Sequence, residues 1–299
     1  MIGLFFALGS AICFALANIY IRKAVYRTGE AYSGVIISLF LGTLVFGLWL
    51  FASGESIQLG SLSWMGVVSL AAAGIVHFLL GRSFSYIGIR LIGSNRVIPI
   101  QTCYIIIAAV LGIVFFGEPI TVSFILALLL VTGGIIIISR TGQSGEGEQN
   151  LLRGALAKGI LAALATAVCW GVSPVLVKFG LNELGSAPLA TFISGLAATL
   201  VIGFTLFKPD NTEKLRRLDR MALGALLLAS LTTAVAQIAR YLALDYGTVG
   251  AVIPISATYA LFFYPLSFII NRQIEDFSPR IIIGGLAVIA GIFLIFWGV

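Results

Sequence analysis

Hydrophobic residues in this chain fall in long runs separated by short polar connections. A transmembrane helix needs about 20 mostly apolar residues, and ten stretches approach or meet that length. They are Ile2–Ile21, Ser33–Phe51, Trp64–Tyr86, Asn95–Phe115, Val122–Ile138, Ile160–Val177, Leu189–Phe207, Met221–Leu242, Val249–Ile270 and Ile281–Trp297. The pattern predicts an all-α integral membrane protein with ten transmembrane helices, in which tight connections make successive helices antiparallel neighbours.

Two longer polar segments interrupt the series of apolar stretches. Ser139–Arg153 is rich in glycine and separates the fifth stretch from the sixth. It predicts a linker at 141–152 between two halves, 1–140 and 153–299. The other polar segment, Lys208–Arg220, is expected to form a short amphipathic or irregular loop.

The two halves repeat each other. A shift of 155 residues aligns Arg82–Tyr104 with Gln237–Tyr259 without a gap. Under shifts of 155 to 157, the informative pairs are Pro99/Pro254, Tyr104/Tyr259, Cys13/Cys169, Arg22/Lys178, His77/Thr232 and Glu118/Glu275. Because each half holds five predicted spans, an odd number, the second half would enter the membrane inverted relative to the first. Such inverted repeats are typical of secondary transporters, whose substrate site lies near the midplane where the halves meet.

Particular motifs connect the chain with a known family. The segments are Tyr86-Ile-Gly-Ile-Arg90, Val97-Ile-Pro-Ile100, Phe116-Gly-Glu-Pro-Ile-Thr121 and Thr132-Gly-Gly-Ile-Ile136. Together they resemble an EamA domain, and the second half repeats the pattern more loosely, without the Gly-Glu pair before Glu275. Two such domains are typical of the drug/metabolite transporter superfamily. The resemblance implies a small-molecule transporter with a central cavity and says little about its substrate.

Composition agrees with a membrane protein and excludes several other classes. Sixty per cent of the residues are hydrophobic, 10% are charged, and the mean hydropathy is +1.09. Soluble domains have about 25% charged residues, so a soluble globule, a disordered chain, a nucleic-acid module and a secreted disulfide scaffold are excluded. The three cysteines lie singly in apolar runs and predict neither a disulfide nor a metal site.

Basic residues are distributed unevenly between the two membrane sides. When the connections are numbered along the chain, the odd-numbered ones hold 15 of the 18 Lys and Arg residues, if Arg96 at the adjoining end of the fourth stretch is included. Basic loops stay in the cytoplasm, so the count predicts a multi-pass protein of the cytoplasmic (inner) membrane with both termini outside. The family resemblance implies both termini inside.

Ionisable and polar side chains inside the predicted spans are the candidate site. No Asp or Glu lies within the apolar core of any span, which argues against a permanent organic cation as substrate. Candidate substrate contacts are Asn18, His77, Arg82, Gln101, Tyr104, Ser173, Gln237, Arg240, Ser256 and Tyr259, with Pro99 and Pro254 as kinks or gates. Snorkelling to the headgroups is the alternative for the arginines, and a hydrogen-bonded buried imidazole is the alternative for His77.

These observations favour a secondary transporter that moves a small polar metabolite by alternating access, with export as the expected direction. The substrate would be neutral, zwitterionic or anionic, such as an amino acid or a related compound. A flippase or exchanger for a lipid-linked or phosphorylated sugar is the alternative, and a channel is a weaker one. One histidine without an intramembrane carboxylate does not favour an enzyme. The sequence predicts no cofactor, metal or nucleic-acid partner, and a monomer or weak dimer in the bilayer.

Overall fold

A computed structural model describes residues 2–29, 31–54, 63–116, 122–139, 149–207, 213, 215–216, 218–247 and 249–297. The regular structure within these ranges is helical. The α-helices are α1 (Ile2–Thr28), α2 (Tyr32–Ala52), α3 (Trp64–Gly74), α4 (Arg82–Ile92), α5 (Ser94–Gln101), α6 (Tyr104–Phe116), α7 (Val122–Ser139), α8 (Gln149–Leu184), α9 (Ala187–Gly203), α10 (Arg220–Tyr246), α11 (Val249–Ala257), α12 (Tyr259–Ile270) and α13 (Pro279–Trp297). A π-helical segment, Ile75–Gly81, joins α3 to α4, and a 3₁₀ turn, Phe204–Phe207, follows α9.

The molecule is an all-helical, multi-pass membrane protein. Within the described ranges, six helices are long and apolar enough to cross a bilayer. They are Ile2–Thr28, Tyr32–Ala52, Trp64–Ile92, Gly154–Leu184, Ala187–Phe207 and Arg220–Tyr246. Large apolar side chains such as Phe5 and Phe51 point outward and are 77% and 87% exposed, as expected for a surface that lipid covers. Helical segments overlap all ten predicted stretches, and ten crossings remain a prediction.

The fourth and ninth predicted spans are broken, where the sequence predicted only kinks. Pro99 lacks the N–H that would bond the Asn95 carbonyl, and the Tyr264 hydroxyl donates to that carbonyl instead, at 3.1 Å. The helix stops at Gln101 and restarts at Tyr104. The ninth span breaks in the same way at one residue, Thr258, between α11 and α12.

Threonine side chains stabilise both breaks. The Thr102 hydroxyl donates to the Ile98 carbonyl at 2.6 Å, and the Thr258 hydroxyl donates to the Ile255 carbonyl at 2.7 Å. Each hydroxyl thereby adds a second hydrogen bond to a carbonyl that already accepts the backbone N–H of the same threonine. Because Thr102 and Thr258 are 156 residues apart, the breaks occur at corresponding places in the two halves.

The second end of the predicted linker at 141–152 overlaps a helix. Helix α8 begins at Gln149 and runs for 36 residues to Leu184, since Gln149–Leu152 contains no glycine or proline to stop it. Residues 141–148 lie outside the described ranges. Most of the polar segment Lys208–Arg220 also lies outside them.

Helices of the two halves pack closely against each other. Helix α1 packs along α10, α8 packs along α3 and α4, and α7 packs along α13. Between α2 and α9, the hydroxyls of Thr43 and Thr199 lie 2.8 Å apart, and these two residues are also separated by 156 positions. The interface between the halves is therefore formed by pairs of helices, one from each half, that pack side by side.

Small residues permit the closest of these approaches. A Cβ on Gly74 would lie only 1.9 Å from the carbonyl oxygen of Ser194 on α9, so the two backbones touch. The Ser194 hydroxyl donates to the Leu70 carbonyl across the same contact, at 2.9 Å. This is the small-residue packing common between membrane helices.

Candidate functional site

His77 lies at the centre of the polar cluster that the two halves share. It belongs to the π-helical segment, a rare geometry that is often found at functional sites, and it is 5% exposed. Its Nδ1 lies 2.7 Å from the Ser173 hydroxyl, and its Nε2 lies 3.0 Å from Nε2 of Gln237 and 3.3 Å from Nη1 of Arg240. All four residues were candidates from the sequence, and the fold joins one from the first half to three from the second.

The partners of His77 determine which of its nitrogens carries the proton. Arginine can only donate, so Nε2 of His77 accepts from Arg240, and the Gln237 amide donates to the same atom. Nδ1 then carries the hydrogen and donates to Ser173. His77 is therefore a neutral imidazole with both nitrogens bonded.

Helix α8 places Ser173 and Trp170 beside this ring. Pro174 leaves the Trp170 carbonyl without its helical donor, and the Ser173 hydroxyl donates to it at 3.4 Å. The Trp170 ring stacks on His77 with centroids 5.4 Å apart, and its Nε1–H donates to the His77 carbonyl at 3.2 Å. The imidazole is thereby fixed on its face as well as at its edges.

A second hydrogen-bonded chain runs from α4 to α12. The Ser85 hydroxyl donates to Oε1 of Gln101 at 2.8 Å, and Nε2 of Gln101 donates to the Tyr259 hydroxyl at 3.0 Å. The Tyr259 hydroxyl lies 3.1 Å from that of Thr102. Since Thr102 already donates to a backbone carbonyl, Tyr259 donates to Thr102. Two more candidates, Gln101 and Tyr259, are thus joined across the halves.

Arg82 and Asn18 line a small cavity beside His77. The cavity has a volume of about 30 Å³ and is also bounded by Ser85, Trp170 and Gln237 among others. Arg82 is 6% exposed, and its Nη1 donates to the Ser38 hydroxyl at 2.6 Å. A volume of this size holds a water molecule and no metabolite, so a metabolite does not fit at the polar centre in this conformation.

The snorkelling alternative for the two arginines is wrong. Arg82 and Arg240 are each 6% exposed, and Arg240 lies six residues before the end of a helix that continues to Tyr246. Their guanidinium groups bond to buried side chains of the cluster and do not extend toward headgroups. Both cations therefore belong to the interior.

Other expected arrangements differ in detail. Tyr104 packs edge-on against Trp170 and Tyr259 packs against Phe14, at 6.4 Å or less between ring centroids, and neither tyrosine lines the cavity. Ser256 is buried, and its hydroxyl has no hydrogen-bond partner among the described residues. Thr232, the repeat partner of His77, bonds to carbonyls of its own helix, because its side chain points away from the centre.

Sequence reasoning missed Trp170 and Thr233 as parts of the site. Trp170 stacks on His77, and Thr233 lines the cavity one helical turn before Gln237. The four-residue spacing from Thr233 to Gln237 was a usable signal, since it places both side chains on one face of α10. No comparable signal marked Trp170 among the aromatic residues of the spans.

A buried ion pair closes one end of the molecule, the end at which α1 finishes and α4 turns into α5. Nε of Arg22 lies 3.0 Å from Oε1 of Glu275, with the two side chains 12% and 2% exposed. The Glu275 carboxylate also accepts from the backbone N–H groups of Ser94 and Asn95, at 2.8 and 3.2 Å. Burial raises the pKa of Glu275, and Arg22 with these N–H groups opposes that rise.

Arg22 makes a further contact at this end, and Lys178 makes the related contact at the opposite end. Nη1 of Arg22 donates to the Ile89 carbonyl at 3.1 Å, and Nζ of Lys178 donates to the Leu244 carbonyl at 2.8 Å. Arg22 and Lys178 are 156 positions apart, and Ile89 and Leu244 are 155 apart. Glu118, the sequence counterpart of Glu275, lies outside the described ranges.

A larger groove of about 820 Å³ lies outside the polar centre, between the ends of α1, α10 and α12. Its lining includes Lys23, Arg27 and Arg272. None of the candidate residues borders it, so it is separate from the His77 cluster.

Comparison with known proteins identifies the family. A model of the EamA-like transporter family matches residues 1–140 and again residues 157–297. The chain belongs to the EamA-like transporter family. The match covers nearly the whole chain and confirms the resemblance seen in the motifs. Its small-molecule substrate and its location in a lipid bilayer follow from that membership.

Relatives from three organisms are named as uncharacterized transporters. An uncharacterized transporter from Archaeoglobus fulgidus is 23% identical over 235 residues, which cover 76% of this chain and 77% of that protein. Uncharacterized transporters from Bacillus subtilis (YvbV) and Methanothermobacter thermautotrophicus are 28% and 25% identical, over 46% and 69% of this chain and 45% and 57% of those proteins. A protein of known crystal structure superposes with a TM-score of 0.65 at 15% identity, over 98% of this chain and 95% of that one. This last similarity is one of fold.

Proposed function

We propose that this EamA-family protein is a secondary transporter that moves a small polar metabolite by alternating access. The observation that carries the proposal is the junction at His77, where a side chain of the first half bonds to three side chains of the second. A substrate that entered between the halves would meet these groups, and separation of the halves would break and remake their hydrogen bonds. The candidate residues around the cavity would form the substrate site.

Two inverted repeats would supply the mechanism for two-sided access. A shift of 155 to 156 positions relates the Arg22–Ile89 contact to the Lys178–Leu244 contact. The two helix breaks and the Thr43–Thr199 contact follow the same shift. Equivalent contacts at opposite ends of the molecule favour two halves of opposite orientation. Each half could then close the end that the other opens.

In this scheme the present conformation is closed at the centre and at the Arg22–Glu275 end. The cavity of about 30 Å³ must enlarge before a metabolite can bind. The interrupted helices α5–α6 and α11–α12 are the proposed gates, because a break permits one part of a span to tilt without the other. Pro99 and Pro254 would act by creating these interruptions.

Transport by reconstituted protein tests the proposal. We expect saturable solute counterflow in proteoliposomes, and we expect His77→Ala and Gln237→Ala to reduce its rate at least about tenfold, since each leaves buried partners unpaired. Thr232→Ala is the matched control, because Thr232 bonds only to carbonyls of its own helix and should transport normally. Ohmic conductance without counterflow would instead indicate a channel.

Membrane orientation is a separate prediction. The 15 basic residues in or directly beside the odd-numbered connections favour a cytoplasmic location for the Arg22–Glu275 end and an external location for both termini. A fluorescent protein fused after Val299 should stay dark in cells, whereas a periplasmic reporter enzyme at the same position should be active. Bright cytoplasmic fluorescence would reverse the assignment.

A further inference from the structure

We infer that the substrate carries a net negative charge and that Arg82 and Arg240 bind its oxyanion, a carboxylate or a phosphate. This inference rests on the proposed transport function and identifies the chemical class that the site takes. It follows from the charge of the site, from its free donors and from two unpaired polar atoms.

The first step is the charge balance of the buried site. Arg82 and Arg240 are each 6% exposed, and no ion pair in the described part of the chain involves either of them. The apolar cores of the predicted spans contain no Asp or Glu that could neutralise them. Burying two cations without counter-charges costs free energy. An anionic ligand would lower that electrostatic cost, whereas a neutral or cationic ligand would not.

The second step is the supply of hydrogen-bond donors. Each guanidinium has five N–H donors in a planar fork that matches two oxygens of a carboxylate or phosphate. Arg82 uses one toward the Ser38 hydroxyl, and Arg240 uses one toward His77. Both protein partners are uncharged, and among the described residues no further acceptor bonds either group. The remaining donors are available to an oxyanion.

The third step is independent of the arginines. Oε1 of Gln237 and the hydroxyl of Thr233 are buried without hydrogen-bond partners among the described residues, and both residues line the cavity beside Arg82. The amide of Gln237 cannot be reversed to solve this, because its nitrogen already donates to His77. An oxygen of this kind needs a donor, so the substrate also carries a hydroxyl or amino group near its oxyanion.

Aromatic surfaces do not favour the opposite charge. Of the three aromatic side chains that line the cavity, Trp170 is stacked on His77 and Phe14 lies edge-on to Tyr259, so two of the three are already packed against other rings. An organic cation would enter this cavity beside Arg82, with Arg240 bonded to the far side of the same His77, and would find no carboxylate among the described residues of the cavity wall. The arrangement selects against it.

Counterflow with solutes of defined charge tests the inference. Proteoliposomes containing the full chain are loaded in separate arms with malate, glycerol 3-phosphate, serine, glucose or choline, and exchange of the same labelled solute is measured. We expect exchange of an anion, malate or glycerol 3-phosphate, with serine, glucose and choline at least about tenfold slower. The arm that responds distinguishes a carboxylate from a phosphate substrate.

Variants connect the selectivity to the two arginines. Arg82→Gln and Arg240→Gln should each weaken anion exchange at least about tenfold, as expected for a lost charged hydrogen bond. Arg90→Gln removes the same charge from an exposed position of the same helix as Arg82 and should exchange normally. Arg82→Lys and Arg240→Lys keep the charge if the glutamine variants fail to fold, and they should retain anion selectivity with weaker binding.

The outcomes separate the two proposals. Saturable exchange of serine, glucose or choline in preference to both anions would overturn the anion inference and leave transport standing. Anion exchange that is equally fast in Arg90→Gln and in both glutamine variants would overturn the arginine assignment. Absence of exchange in all five arms, with folded protein in the bilayer, would contradict the proposed function and the inference together.

Discussion

Glu275→Ala is expected to lower the free energy of unfolding by about 3–5 kcal/mol, the usual cost of removing one partner from a buried ion pair. The change leaves Arg22 buried without its counter-charge and removes the acceptor of the Ser94 and Asn95 N–H groups at the start of α5. Thermal unfolding of the purified protein in detergent should show a clearly lower Tm.

A nearby exposed pair supplies the control. Asp276 pairs with Arg96 at 2.7 Å, but the Asp276 side chain is 47% exposed, so Asp276→Asn should cost less than about 1 kcal/mol. The double variant Arg22→Ala/Glu275→Ala should lose less than the sum of the single variants, because it leaves no orphan charge. If Glu275→Ala and Asp276→Asn both lowered the free energy of unfolding by less than about 1 kcal/mol, the Arg22–Glu275 pair would not stabilise this end of the protein.

Gly74→Val is expected to destabilise the protein by about 3 kcal/mol or more, at the upper end of overpacking effects. Even the Cβ of the new residue would lie 1.9 Å from the Ser194 carbonyl oxygen. No rotamer relieves this overlap, since it involves backbone atoms of α9, and the helices must separate. The Leu70–Ser194 hydrogen bond would then be lost as well. Expression level and Tm in detergent both report the effect.

Gly9→Val and Gly9→Ala are the matched controls for that substitution. Gly9 lies within α1, and a Cβ there meets nothing within 4 Å. Alanine in particular has the higher helix propensity, so Gly9→Ala should keep or slightly raise the Tm. A loss in Gly9→Val as large as that in Gly74→Val would mean that apolar helices of this protein reject valine generally, and that the contact with α9 is not special.

The sequence predicted individual polar residues better than it predicted their partners. His77, Ser173, Gln237 and Arg240 were candidates because polar groups are costly in apolar helices, and each could be named without knowledge of the fold. Their mutual contacts could not, because His77 and Arg240 are 163 residues apart and periodicity reports only neighbours on the same helix. For the same reason, repeat alignment paired Thr232 with His77, whereas in the structure the Thr232 hydroxyl bonds to carbonyls of its own helix.

Proline positions show a similar division. Pro99 and Pro254 predicted disturbed helices because proline lacks a backbone donor. Each span is interrupted a few residues after its proline, where Thr102 and Thr258 add side-chain hydrogen bonds to nearby carbonyls, and Tyr264 bonds to the Asn95 carbonyl that Pro99 leaves without a donor. Tyr264 belongs to a distant helix, so this part of the outcome depended on tertiary contact.

The sequence by itself determined that this is an all-helical membrane protein of the EamA-like transporter family, because long apolar runs and short motifs are local properties that survive without knowledge of packing. Tertiary structure alone decided that Arg82 and Arg240 are interior and not snorkelled, that Trp170 covers His77, and that Arg22 and Glu275 close one end. The direction of a long side chain and the identity of its partner depend on which helices meet. The partners lie far apart in the sequence, 93 positions for His77 and Trp170 and 253 for Arg22 and Glu275, so local patterns do not reveal them.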